Sequence, residues 1–145
     1  MLRFSYLPSD FHPMLLLLGE AEDLMKLATL LRLTVASGEA KELETASFAA
    51  PSDTRVVITA GEGPLGLGLR PDAMAGTQKS FRWMLDADLA REYAAKLEAL
   101  GAPGRKAGSE ELVADSLGET PVKVSRGEFT DDFLLPMAVA RASPR

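Results

Sequence analysis

The stretch Ser80-Phe81-Arg82-Trp83-Met84-Leu85-Asp86-Ala87-Asp88-Leu89-Ala90-Arg91-Glu92-Tyr93-Ala94-Ala95-Lys96-Leu97-Glu98-Ala99-Leu100-Gly101 changes period in its middle. Phe81, Trp83 and Leu85 alternate with Ser80, Arg82 and Met84, the period of two that a half-buried strand needs. Leu89, Tyr93, Leu97 and Leu100 then step by four, four and three, one stripe along a helix. Asp86 stands at the N-cap position, and Asp88 puts negative charge against the positive helix end. Glu92 and Lys96 are four apart in the favourable order. Gly101 is expected to stop the helix in the left-handed conformation, with Pro103 just beyond it. All these local signals agree on a strand followed at once by a helix.

Before this element, Thr54 to Ala60 is rich in β-branched residues and reads as a strand. Leu65 to Arg70 alternates leucine with glycine and ends at Pro71. Gly61-Glu62-Gly63-Pro64, between these two runs, reads as a hairpin turn. Asp72 to Gln78 reads as a loop, and Lys41 to Ala49 as a further strand with mixed alternation. Glu20 to Ser37 is a helix closed by Gly38, with Glu20, Glu22 and Asp23 loading its first turn. Its polar positions Glu22, Lys26 and Thr29 form a narrow stripe among Leu24, Leu27, Leu30, Leu31 and Val35. It is therefore expected to be the more buried of the two helices. Met14 to Leu18 is apolar on both faces, which fits a central strand or the run into that helix. Leu2 to Leu7 is a strand with Leu2, Phe4 and Tyr6 on one face, interrupted by Pro8, Ser9, Asp10 and Pro13. After Gly101, short strands are expected at Glu111 to Ser116 and Pro121 to Ser125, around Gly118. The apolar stretch Phe133 to Ala140 precedes a polar end.

Short connections between consecutive strands point to antiparallel pairing. The expected fold is α+β: a mainly antiparallel sheet of about six to eight strands, with both amphipathic helices on one face. The 145 residues contain no repeat or linker and fit a single domain, with a tail over about 133–145. With no cysteine, a disulfide framework, a cysteine nucleophile and thiolate metal sites are excluded. The formal charge of −5 comes without a basic stripe and argues against a nucleic-acid partner. Met14 to Leu18 is too short for a membrane span and lacks the basic start and cleavage site of a signal peptide. A cytoplasmic protein with no membrane partner is the expectation.

Gly61-Glu62-Gly63-Pro64-Leu65-Gly66 matches the dinucleotide-binding pattern of glycines but continues as strand, where a pyrophosphate site needs a helix N-terminus. His12 is the only histidine, with Asp10 two residues earlier, and reads as a loop residue rather than a metal ligand. No nucleophile elbow, P-loop or kinase signature occurs, so no catalytic, cofactor or metal residue is assigned. Gly66 and Gly68 strip one face of their strand. They mark either a bend in a curved sheet or a smooth surface for a ligand or partner. Arg70 and Arg82 lie nearby and could hold an anion.

The strand and helix from Ser80 to Leu100, then Gly108-Ser109-Glu110-Glu111-Leu112, then Val122 to Phe129 before Asp131-Asp132, together resemble a set of small bacterial α+β proteins. Some of these are labelled as immunity proteins of toxin systems. The resemblance covers the C-terminal half and implies a protein that binds and blocks a partner. Those relatives have Gly-His where this chain has Gly108-Ser109, so a role for that histidine does not carry over.

Two function classes follow. The first is a non-enzymatic protein-binding module, of which an immunity-type inhibitor is one form. The second is a small-molecule or anion-binding protein, or an enzyme, with a pocket between the sheet and the Asp72–Gln78 loop. Self-association is expected too, with Phe133, Leu134, Leu135, Met137 and Val139 either docking on their own chain or crossing to a second copy in a homodimer.

Overall fold

The structure, a computed structural model, describes residues 1–8, 13–61, 66–72, 79–104 and 107–127. His12, the Gly61–Pro64 turn beyond its first residue, most of the Asp72–Gln78 loop and the apolar tail lie outside the described residues. Among the described residues the fold is α+β, with two helices and two four-stranded sheets. The first sheet has the order β1 (Arg3–Leu7), β2 (Met14–Leu18), β8 (Val122–Arg126), β7 (Gly108–Glu111). The second has the order β3 (Lys41–Glu42), β4 (Thr54–Ala60), β6 (Lys79–Leu85), β5 (Gly68–Pro71). Helix α1 (Ala21–Ser37) and helix α2 (Ala87–Leu100) pack against each other and complete one core.

The strands form two sheets rather than one, and both sheets are mixed. Four of the six pairings are antiparallel. The central pair of each sheet, β2 with β8 and β4 with β6, is parallel. Leu15 to Leu18 are all buried, so Met14–Leu18 is a central strand and not the run into α1. In the second sheet Val56, Ile58, Phe81, Trp83 and Leu85 face the core.

This centre overturns the hairpin expected around Gly61–Pro64. β6 inserts between β4 and β5, so the two runs flanking that turn are not neighbours. The glycine-containing, proline-ended β5 takes the edge, where a missing donor does no harm. β5 is also shorter than the Leu65–Arg70 run, because Gly68 has φ 99°. Lys41–Ala49 yields only the two-residue β3 before a 3-10 turn at Leu43–Thr45. The strand expected at Glu111–Ser116 lies earlier, at Gly108–Glu111, since Asp115 adopts φ 57° and cannot extend the ladder.

Helix α2 follows its sequence closely. The Asp86 carboxylate accepts from the Leu89 N–H at 2.8 Å, and Leu89, Tyr93, Leu97 and Leu100 are all buried. Its end differs from expectation. Gly101 has φ −88°, not a left-handed value. A Cβ there would lie 3.2 Å from the Ala21 carbonyl oxygen, so the glycine permits close approach of α1. The α2 C-terminus has no basic residue of its own, and Arg126 of β8 supplies one, donating to the Leu100 and Ala102 carbonyls. Lys96 donates to the Glu111 carbonyl at 3.1 Å instead of pairing with Glu92. In α1, Asp23 accepts from the Glu20 N–H at 3.0 Å, and Gly38 closes the helix at φ 73°. α1 is not the more buried helix: Met25 and Leu33 are exposed, while every apolar stripe residue of α2 is covered. A two-pronged Arg32–Glu98 pair joins the helices on their solvent side.

The two sheets are stitched along β1. The Leu2 N–H donates to Phe48 and its carbonyl accepts from Ala50, Ser52 Oγ donates to the Phe4 carbonyl, and the Tyr6 N–H donates to Thr54 Oγ1. These bonds cover an edge that would otherwise invite pairing. Asp53 anchors the seam, accepting from Ser5 Oγ and Thr54 Oγ1 at 3.0 Å and from Lys79 Nζ at 3.2 Å. The core centres on Trp83, fully buried, with its ring centroid 5.9 Å from that of Tyr93.

Two outcomes test this packing. Trp83→Ala is expected to cost about 3–5 kcal/mol in chemical denaturation; a loss below about 1 kcal/mol would remove Trp83 from the core. Burial pushes the Asp53 carboxyl up, but the hydrogen bonds from Lys79, Thr54 and Ser5 and the Lys79 charge outweigh it, holding it below the usual value. A depressed folded-state value stabilises above the unfolded-chain value, about 3.9, and that share is lost as pH falls through the folded value. Thermal melts from pH 6 to 2.5 should therefore show Asp53→Asn lowering stability at pH 6 and converging on the parent at the acid end. Parallel curves would show that the carboxylate does not act through its charge.

Candidate functional site

The four residues singled out in the sequence fall on one face of the second sheet. Inner positions of β6 are Phe81, Trp83 and Leu85, so Ser80, Arg82 and Met84 point outward. β5 pairs antiparallel with β6 in the register Gly68 to Met84 and Arg70 to Arg82. Arg70 and Arg82 are thus direct cross-strand neighbours on the outer face. Gly66, Arg70, Pro71, Asp72, Arg82 and Met84 line a concavity of about 180 Å³. That is room enough for a carboxylate or phosphate group. Gly68 shares this register face with Met84 but is buried and does not line the concavity.

The two arginines differ in support. Arg82 is exposed, and among the described residues it makes no hydrogen bond or ion pair. Arg70 is half-buried and donates to Ser116 Oγ. Its guanidinium rests against Gly118, where a Cβ would lie 3.2 Å from Nη1. Gly118 has φ 80° in the turn Ser116–Glu119, which is closed by the Glu119 N–H donating to the Ser116 carbonyl at 3.1 Å. Next to the turn, the Thr120 N–H donates to the Leu69 carbonyl at 2.8 Å.

Gly68 owes its identity to this turn. A Cβ on it would fall 2.4 Å from Glu119 Oε2, and its φ of 99° already favours glycine. The Glu119 carboxylate lies in that space and accepts from the Ala114 N–H at 2.7 Å and the Ser116 N–H at 3.2 Å. Neither reading of the glycine pair, a bend or a smooth surface, describes Gly68, which makes room for the Glu119 side chain. Gly66 is half-exposed at the rim beside Met84.

Like charges directly opposite on a sheet repel, and an anion seated between them relieves that repulsion. Guanidinium groups stay protonated and offer donors in a fixed fork, so they bind and polarise an anion but do not carry protons. Asp72 also lines the concavity and contributes a negative charge to it. Asp86 is a helix cap and Asp88 pairs with Arg91 at 3.1 Å, so neither belongs to the site. Tyr93 is fully covered, and burial first, then the charges of Glu119 and Glu92, push its hydroxyl far above the usual value.

A second surface was not singled out in the sequence. Met25, Leu30 and Leu33 of α1, with Phe48, line a shallow groove of about 570 Å³, with Glu22 and Lys26 at its rim. The spacing of Met25 and Leu33, eight apart with Thr29 midway, was the available signal, since it places apolar residues on the polar stripe.

No family model matches the chain, no curated protein matches it, and no solved structure matches it.

Proposed function

We propose that this chain is a binding module rather than a catalyst, and that it holds an anionic group of its partner between Arg70 and Arg82. The observation that carries the reading is the register of β5 on β6, which sets Arg70 directly across from Arg82, both of them lining one small concavity. A cytoplasmic location is part of the reading; among the described residues no helix is long and apolar enough to cross a membrane. Titration with inorganic phosphate and with acetate, at low ionic strength to limit screening, tests it by NMR of the arginine side chains. Both Arg70 and Arg82 signals should shift saturably. Arg82→Ala should abolish saturation while leaving stability within about 0.5 kcal/mol, as for an exposed residue. Unchanged arginine signals at high millimolar anion would sink the idea.

The α1 groove favours a second reading, contact with a partner protein, which is how an immunity-type inhibitor of the kind the resemblance implies would act. Exposed Met25 and Leu33 beside half-buried Leu30 and Phe48 form a continuous apolar strip. A second copy is the simplest protein partner to test. Light scattering should then show a dimer that Leu33→Glu dissociates without loss of thermal stability. A dimer untouched by that change, or a monomer throughout, counts against self-association at this face.

A further inference from the structure

We infer that Glu119 is the positioning residue of the anion site, and that it sets the affinity by holding the turn on which Arg70 rests. The inference rests on the anion reading of Arg70 and Arg82 and goes beyond it, since Glu119 does not line the concavity. An arginine on a sheet edge has many rotamers, and a guanidinium binds tightly only when its orientation is set before the ligand arrives. Here the orientation comes from the Ser116 hydroxyl and from the bare Cα of Gly118. Both belong to a turn that directly follows a non-glycine residue, Asp115, at φ 57°. Such a backbone persists only where its surroundings hold it. Glu119 provides that hold, one carboxylate oxygen on the Ala114 N–H and the other on the Ser116 N–H. The carboxylate reaches these donors by crossing the space left by Gly68. Charge-assisted bonds to backbone N–H groups are among the stronger hydrogen bonds, so they suit this task.

The chain of support therefore runs from Gly68, which makes room, to Glu119, to the Ser116 turn, to the Arg70 guanidinium. Arg82, across the ladder, needs none of it. Glu119 affects ligand affinity through Arg70 and touches no ligand itself.

A double-mutant cycle on the full chain tests the inference, with inorganic phosphate as probe and isothermal titration as readout. Glu119→Gln keeps the size but replaces one acceptor with a donor, and should weaken phosphate binding about tenfold. Ser116→Ala removes the direct bond to Arg70 and should weaken it several-fold. If Glu119 acts through the turn, the double variant should be no weaker than Glu119→Gln alone, because residues in one network are not additive. Thermal stability is measured alongside, and Glu119→Asp, which keeps both acceptor oxygens, should recover part of the affinity. Independent, multiplying effects would overturn the inference, as would a Glu119→Gln variant that melts earlier yet binds phosphate as well as the parent. If Glu119→Gln does not fold, Ser116→Ala and Glu119→Asp carry the test: unchanged phosphate affinity in both overturns the inference. A parent chain that fails to bind phosphate removes the anion reading and the inference together, which distinguishes that failure from the others.

Discussion

The parallel ladder between β4 and β6 is the interaction on which the rest of the molecule depends. Its register runs over the full length of both strands and sets Val56 beside Phe81 and Ile58 beside Trp83 on the core side. Asp86 follows β6 at once and caps α2, so the helix can only fold back over the sheet that precedes it. That brings Tyr93 onto Trp83. The same ladder occupies one edge of β6 and leaves β5 the other. Arg70 consequently falls opposite Arg82 rather than beside a residue of β4. Core and site are two faces of one register.

The helix pair closes what the sheets leave open. Each four-stranded sheet lends an inner face to one cluster shared with both helices. The approach of the helices depends on Gly101, and Arg126 of β8 satisfies carbonyls at the α2 end that no residue of the helix could. Both are long-range debts of a local element, met by residues of the partner helix and of the other sheet.

Local elements were legible in the sequence, and their partners were not. The Ser80–Gly101 stretch reads correctly because its period, cap and stripe are properties of consecutive residues. β4 reads correctly for the same reason, and its bounds, Thr54–Ala60, match. The hairpin expected at Gly61–Pro64 fails because turn chemistry is local, while the choice between β5 and β6 as neighbour depends on which strand buries more apolar surface. Gly101 misleads in a similar way: a glycine after a helix signals a left-handed stop, but here it serves a close contact visible only in three dimensions. Arg70, Arg82, Gly66 and Gly68 were singled out from the leucine–glycine alternation and their nearness along the chain. What Gly68 accommodates was not, since Glu119 lies 51 positions away. The apolar strip on α1 was passed over because two residues on a polar stripe look like noise until the helix is seen to leave them uncovered.

The two sheets divide their labour by burial. In the first sheet Leu16 and Leu18 point away from the shared cluster yet are as buried as Leu15 and Leu17, and Ser5 and Ser125 beside them are buried too. Its central strands therefore offer solvent neither face. The second sheet keeps one face dry and the other wet at β6, where Arg82 is exposed and Met84 half-covered. A ligand reaches only an exposed face, and a strand paired on both sides, as β6 is, fixes the backbone positions of the residues it carries. Arg70 and Arg82 sit on ladder positions rather than on a loop, so their backbones lie one strand spacing apart, about 5 Å, whatever conformations their side chains take.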